Sequence, residues 1–188
     1  YIAWRNDTLN GASTVLIADS NDSVHALNQR ARADLILDGT VDARREVALQ
    51  GDARAGVGDT IITRKNDRRL RTPRGWVRNG DRWTIADIRD DGSLTARRAD
   101  SRGTVILPAD YVSDHVDLGY SVTAHRAQGI TTDTSHVLVD PSTTRENLYV
   151  AMTRGRQANL VYVATDRPDD NHTTPHPADD PDATARSV

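Results

Sequence analysis

The spacing of apolar positions changes along this chain. Ser13 to Ala18, Ser-Thr-Val-Leu-Ile-Ala, is a short β-branched and apolar run with the length and composition of a buried strand. Asp19-Ser20-Asn21-Asp22 supplies helix-capping side chains. Val24, Leu27, Ala31 and Leu35 then follow at helical intervals, which predicts a helix to about Leu37. A strand feeding a capped helix is half of a βαβ unit. Residues 1–10 read as the end of a helix, with Ile2, Trp4 and Leu9 apolar and Asn10-Gly11 closing it. Further on, Val57 to Asp67 reads as a second strand leaving through a turn.

Between Gly75 and Val116 the pattern shortens. Trp83–Ile88, Ser93–Arg97 and Gly103–Leu107 are short alternating strands. Asn79-Gly80 and Asp91-Gly92 are strong hairpin turns, and Pro108-Ala-Asp-Tyr gives a turn of helix. Short strands at near-regular spacing predict a small SH3-like barrel. The chain then returns to α/β, with a strand at 135–139, a helix over about Thr143–Met152 and a strand at Asn159–Ala164. Asp140-Pro141-Ser142 separates strand from helix, with Ser142 or Thr143 as N-cap and Glu146 in capping-box position. From Asp166 onward the residues are Asp, Pro, Thr, His and Ala with almost no apolar content, which predicts a disordered acidic tail over 166–188.

Composition bounds the function. At 188 residues the chain suits one domain, or one domain with a small insert. The absence of cysteine excludes disulfides and thiolate metal sites. No apolar run reaches membrane-spanning length and no signal peptide opens the chain. Tyr1-Ile-Ala-Trp-Arg starts mid-pattern without a Met, so the chain reads as a piece of a longer, cytoplasmic protein. A formal net charge of −3 argues by itself against a nucleic-acid binder, but the distribution reverses that. Arg64 to Arg74 is strongly basic and Arg78 and Arg82 follow it, while acid gathers in the tail.

The densest chemistry lies in two stretches. Gly119 to Asp133 places Thr123, His125, Arg126 and Gln128 close together and reaches Gly129, where a helix would stop. Asn147 to Arg156 sets Thr153, Arg154 and Arg156 just past a helical turn. Hydroxyl, guanidinium and backbone N–H groups all donate to phosphate oxygens, so both stretches suit an anionic ligand. Tyr120-Ser-Val-Thr-Ala-His-Arg-Ala-Gln-Gly resembles motif V of superfamily 1 helicases, and Tyr149-Val-Ala-Met-Thr-Arg-Gly-Arg resembles their motif VI. The order and spacing are similar to RecD-like motors, in particular the helicase part of conjugative relaxase–helicases of the TraA/MobF type.

That resemblance covers residues 13–165. It implies an α/β, RecA-like (P-loop NTPase-type) second motor domain with an inserted SH3-like barrel. Residues 1–73 and 118–165 would form the motor domain and 74–117 the insert. It also implies ATP-driven 5′-to-3′ translocation on single-stranded DNA during conjugation. No Gly-x-x-x-x-Gly-Lys-[Ser/Thr] occurs, and no acidic pair follows a hydrophobic strand in the right place. ATP and Mg²⁺ would therefore be held mainly by a preceding RecA-like domain of the same polypeptide, with an attached relaxase domain as a further partner.

Each site residue has a plainer alternative. Arg154 would reach the γ-phosphate of ATP as an arginine finger; otherwise it is a surface cation at a helix C-terminus. Arg156 divides evenly between a second phosphate contact and a solvated side chain. Thr123 and His125 would touch the DNA backbone, and Gln128 and Gly129 would lie at the nucleotide; otherwise His125 and Gln128 cap a loop and Gly129 supplies positive φ. Where the family often carries a Glu, this chain has Thr131-Thr132-Asp133. Arg64, Asn66, Arg68, Arg69 and Arg71 would form a phosphate track or else a solvated face; Trp76 or Trp83 could stack on a base, but as tryptophans of a small barrel both are expected in the core. His172 and His176 lack the further ligands a metal needs. The rival function is a non-catalytic DNA-binding or scaffold module left by a degenerate helicase.

Overall fold

The computed structural model describes residues 1–73, 75–98 and 103–163. The acidic tail, with His172 and His176, lies outside the described residues. Two compact units divide the chain: one takes residues 1–24 and the chain from 122 on, the other residues 25–121.

The first unit is built on a four-stranded sheet of order β11-β1-β12-β13. Its strands are β1 (Thr14–Ala18), β11 (Ser121–Thr123), β12 (Thr132–Val139) and β13 (Gly155–Val163). Thr14 to Ala18 offers no polar face, and every residue of β1 is buried, as a strand covered on both sides must be. β1 pairs in parallel with β12, Val15 facing Ser135 and Ile17 facing Val137, and β12 pairs in parallel with β13. The helix α1 (Ile2–Leu9) forms as expected, but of its apolar residues Trp4 alone is buried, while Ile2 and Leu9 are exposed.

Asp7 of α1 instead reaches a buried histidine. His136 Nε2 lies 3.0 Å from Asp7 Oδ2, and its Nδ1 lies 2.9 Å from the Tyr162 hydroxyl of β13. This cluster ties helix to sheet through polar groups that sequence periodicity does not reveal.

The helix α2 (Asn21–Leu37) starts where expected, with Ser20 Oγ accepting from Ser23 N at 3.0 Å. Its buried residues run Val24, Asn28, Ala31 and Leu35, so Asn28 takes the place expected of Leu27. The Asn28 amide acts as a length of backbone. Its oxygen accepts from Tyr120 N (3.0 Å) and Ser121 N (2.9 Å), and its nitrogen donates to Ser121 O (3.0 Å).

The second unit holds a five-stranded antiparallel sheet of order β10-β4-β7-β8-β9. Its strands are β4 (Thr60–Thr63), β7 (Arg82–Ile88), β8 (Leu94–Arg98), β9 (Thr104–Leu107) and β10 (Val116–Leu118). This is the SH3-like barrel, with Ile61, Trp83, Ile85, Leu94 and Leu107 in its core. Thr60–Thr63, expected as a strand of the α/β part, lies instead inside this sheet between β10 and β7. The helix α3 (Ala109–His115) extends the expected turn after Pro108. Two ribbons complete the unit: β2 (Asp42–Ala48) with β3 (Arg54–Val57), and β5 (Asp67–Thr72) with β6 (Gly75–Val77).

Asp91-Gly92 joins the paired strands β7 and β8, as a hairpin turn should. Asn79-Gly80 turns too, but it links β6 to a strand of another sheet, because Gly80 N and Thr63 N take their bonds across β4. Beneath the barrel, buried Asp59 accepts from Gly56 N, Arg32 Nε (2.9 Å) and the Tyr120 hydroxyl (2.6 Å), and Arg32 also pairs with Glu46. Burial and the adjacent carboxylate hold the Tyr120 phenol above its ordinary value, so it stays a donor.

Two outcomes follow from these polar contacts. Asn28→Ala leaves buried backbone groups unpaired and is expected to cost about 2–4 kcal/mol, read from the urea midpoint; an unchanged midpoint would show that water replaces the amide. Burial holds His136 below its ordinary 6.5, with Asp7 opposing the shift. The unfolded chain therefore takes up that proton first, and the contribution is full above about pH 6.5 and lost as pH falls toward the folded value. His136→Asn should flatten the fall in stability as pH drops below about 6.5, and equal slopes in both proteins would refute it.

Candidate nucleotide and nucleic-acid site

β11 leads directly into the single-turn helix α4 (Ala124–Ala127). Thr123 caps it, its hydroxyl accepting from Arg126 N at 3.4 Å. Gly129 ends the turn at φ +89°, a conformation that favours glycine. Ala124 and Ala127 face inward and are buried, so the exposed face is His125, Arg126 and Gln128. Small residues on one side and donors on the other let α4 sit low with its polar groups outward.

The second stretch forms α5 (Arg145–Ala151), the turn 152–154 and the start of β13. Its N-cap is Thr144, which accepts from Asn147 N, rather than Ser142 or Thr143. Thr143 Oγ1 instead accepts from Asp140 N at 3.0 Å, and Glu146 closes no capping box on the expected residues. Asn147 Nδ2 donates to Asp19 Oδ1 at 3.1 Å, fastening α5 to the end of β1. The crevice between them, lined by Asp19, Thr143, Asn147 and Ala151, has no room for a water molecule.

Arg154 brings the two stretches together. Its Nε donates to Val150 O at 2.8 Å and its Nη2 to Thr153 Oγ1 at 2.6 Å. Its Nη1 reaches Ile130 O at 3.4 Å and Ala127 O at 3.5 Å. Among the described residues no carboxylate pairs with it. A guanidinium has five N–H groups. Here the Nη1 contacts are long and one Nη2 proton is unengaged, so an uncompensated charge stands oriented with donors to spare.

The following glycine is obligatory. A Cβ on Gly155 would fall 2.0 Å from Ala158 O. Asn159 clamps the turn, its Oδ1 accepting from Gly155 N (2.8 Å) and its Nδ2 donating to Gly155 O (3.0 Å). Ser135 Oγ donates to that same Asn159 Oδ1 at 2.8 Å. Sequence reading missed both Asn159 and Ser135; an asparagine four residues past the glycine is the signal that was there.

Arg156 is not free. Its Nη2 donates to Asp133 Oδ1 at 2.8 Å, and Asp133 Oδ2 accepts from Ser13 N at 2.9 Å. Those bonds, the backbone one foremost, hold the Asp133 carboxyl below its ordinary value. Asp133 is therefore a clip that joins Ser13, at the entry to β1, to β12 and β13.

The basic run lies in the second unit and is not a uniform track. Arg64 pairs with Asp117 at 2.9 Å and Arg69 with Asp67 at 2.7 Å, while Asn66 Oδ1 accepts from Asn79 N. Arg68 and Arg71 have no carboxylate partner among the described residues. Trp83 is core at 0% exposure, but Trp76, also expected there, is only partly buried, on the two-stranded β5–β6 ribbon outside the barrel sheet, with Arg68 and Arg78 beside its ring. Among the described residues no cluster of three or more His, Asp or Glu could hold a metal ion, and no helix is long and apolar enough to cross a membrane.

The family described as the Rv2311 SH3-like barrel domain matches residues 47–117. The uncharacterized protein Rv2311 of Mycobacterium tuberculosis is 35% identical over 88 residues, 46% of this chain and 51% of its own length. The probable conjugal transfer protein TraA of Sinorhizobium fredii is 33% identical over 161 residues, 85% of this chain and 14% of TraA. The multifunctional conjugation protein TraI of Escherichia coli is 33% identical over 117 residues, 58% of this chain and 6% of TraI. The chain thus spans about half of Rv2311 and a small part of the conjugation proteins. Among solved structures, the Bacteroides Pif1 helicase in complex with ADP-AlF3 and ssDNA superposes with a TM-score of 0.55 at 17% identity, over 79% of this chain and 40% of that one. The Candida albicans Pif1 helicase does so with 0.52 at 16%, over 81% and 45%. At such identity the likeness shows the fold.

Gly155→Ala should displace the turn that carries Arg154. The expected cost is about 1–3 kcal/mol, seen as a lower melting temperature, and an unshifted transition would show that the Asn159 clamp yields.

Proposed function

We propose that this chain, homologous to the conjugation proteins TraA and TraI, is the second RecA-like motor domain, with its SH3-like barrel, of an ATP-dependent superfamily 1 DNA helicase acting in conjugative transfer. The observation that carries this reading is the Arg154 guanidinium, oriented by Val150 and Thr153, set on carbonyls of the 127–130 loop and without a carboxylate partner among the described residues. A buried acid would have neutralised it. A phosphoryl group arriving from another domain meets an intact positive charge, which stabilises the charge on the transferring group.

The remaining donors divide the work. Arg154 donates toward the γ-phosphate of ATP, whose Mg²⁺ and phosphate cradle belong to the preceding RecA-like domain. The exposed His125, the capping Thr123, Gln128 and the Gly129 turn face the site where single-stranded DNA and nucleotide are sensed together. Because Arg154 bonds to the loop that follows α4, a shift of the guanidinium on phosphate release moves that loop. Arg156, paired with Asp133, acts by holding strands together. In translocation the two RecA-like domains close and open around the nucleotide, stepping 5′ to 3′, with an attached relaxase domain supplying the strand.

The test is single-strand-stimulated ATP hydrolysis by a protein extended upstream through the preceding domain. Arg154→Ala should lower turnover on the order of 10³-fold with single-strand affinity retained. A protein that binds single strands but never turns over ATP would instead be the non-catalytic DNA-binding or scaffold module.

A further inference from the structure

The chain has three tryptophans, and they differ in exposure. Trp4 and Trp83 are sealed, at 1% and 0%. Trp76 is partly exposed on the β5–β6 ribbon. It stands opposite Arg71 in the antiparallel register. The Arg68 and Arg78 guanidinium carbons lie 5.3 and 5.0 Å from its ring centroid.

The surroundings of those arginines single them out. Nearby cations are neutralised: Arg64 by Asp117, Arg69 by Asp67 and Arg98 by Asp81. Arg68, Arg71 and Arg78 have no carboxylate partner among the described residues. Two cations attracted to one indole repel each other, and an anion between them relieves that repulsion. An aromatic ring offered to solvent among unpaired guanidiniums suits a ligand with both a flat apolar face and a repeating negative charge. Unpaired nucleotides have both.

We propose that Trp76 is a stacking platform for an unpaired nucleobase, with Arg68, Arg71 and Arg78 holding the flanking phosphates. This rests on the reading of the chain as a single-strand binder, and it adds a base contact where the motif stretches offer only backbone contacts. Every base has a π-face, so the contact is sequence-tolerant. It gives the SH3-like unit its own hold on the strand, independent of nucleotide state.

The test titrates the 188-residue chain with a labelled oligo-dT strand, followed by anisotropy and by tryptophan fluorescence. With Trp4 and Trp83 buried, quenching reports Trp76. The expected result is quenching in the wild type and affinity lowered roughly tenfold in Trp76→Ala. Trp76→Phe should keep most of the affinity. An abasic strand of equal length should bind wild type and Trp76→Ala alike. Arg71→Ala should instead reduce the salt slope by about one. Circular dichroism checks that each variant folds.

Oligo-dT affinity unchanged in Trp76→Ala would overturn base stacking while leaving the Arg154 reading intact. No single-strand binding at all, or equal binding of polyglutamate, would also overturn it. Loss of ATP turnover in the extended protein, with quenching intact, would sink the motor reading alone.

Discussion

One rung of the parallel ladder carries the candidate site. Thr132, the first residue of β12, pairs with Gly155, the first of β13, and its N–H donates to Arg154 O at 3.0 Å. That rung joins the end of the first polar stretch to the end of the second. Everything that aims Arg154 depends on it: the Asn159 clamp on Gly155, the Ser135 bond to Asn159, and the carbonyls of Ala127 and Ile130 beneath the guanidinium. β12 is buried along most of its length and so resists slippage, because a one-residue shift would move its buried side chains to the other face.

The second theme is which arginines keep their charge. Arg32, Arg64, Arg69 and Arg156 are paired with carboxylates. Arg154, Arg68, Arg71 and Arg78 are not paired among the described residues. The net charge of −3 says little here, since the local field follows the unneutralised residues. An exposed ion pair adds little stability, but it removes an arginine from the set available to phosphate.

Much of the architecture was legible in the residues. β1, α2, β7 to β9 and the return to α/β follow from periods and turn chemistry, because each is a local pattern with a local cause. The motif stretches drew attention to Arg154, His125 and Gly129 as candidates, since their unusual density of donors fits no amphipathic element. Other features escaped because their cause lies far away in sequence. Asn28 sits at a helical core position, yet its worth comes from bonds to Tyr120 and Ser121. The cap of α5 escaped for a local reason instead: Thr143 accepts from Asp140 N three residues earlier, which leaves Thr144 to cap.

The sequence by itself determined the strand and helix content, the small barrel, and the two donor-rich stretches with Arg154 at their head. Only the tertiary structure decided which cations find a carboxylate among the described residues, that Asp133 is a clip, that Thr60–Thr63 joins the barrel sheet and that Trp76 stays partly exposed. The physical reason is the range of each interaction. Periodicity and capping act over a turn or two of chain, whereas ion pairing and burial depend on residues that meet only when strands pair.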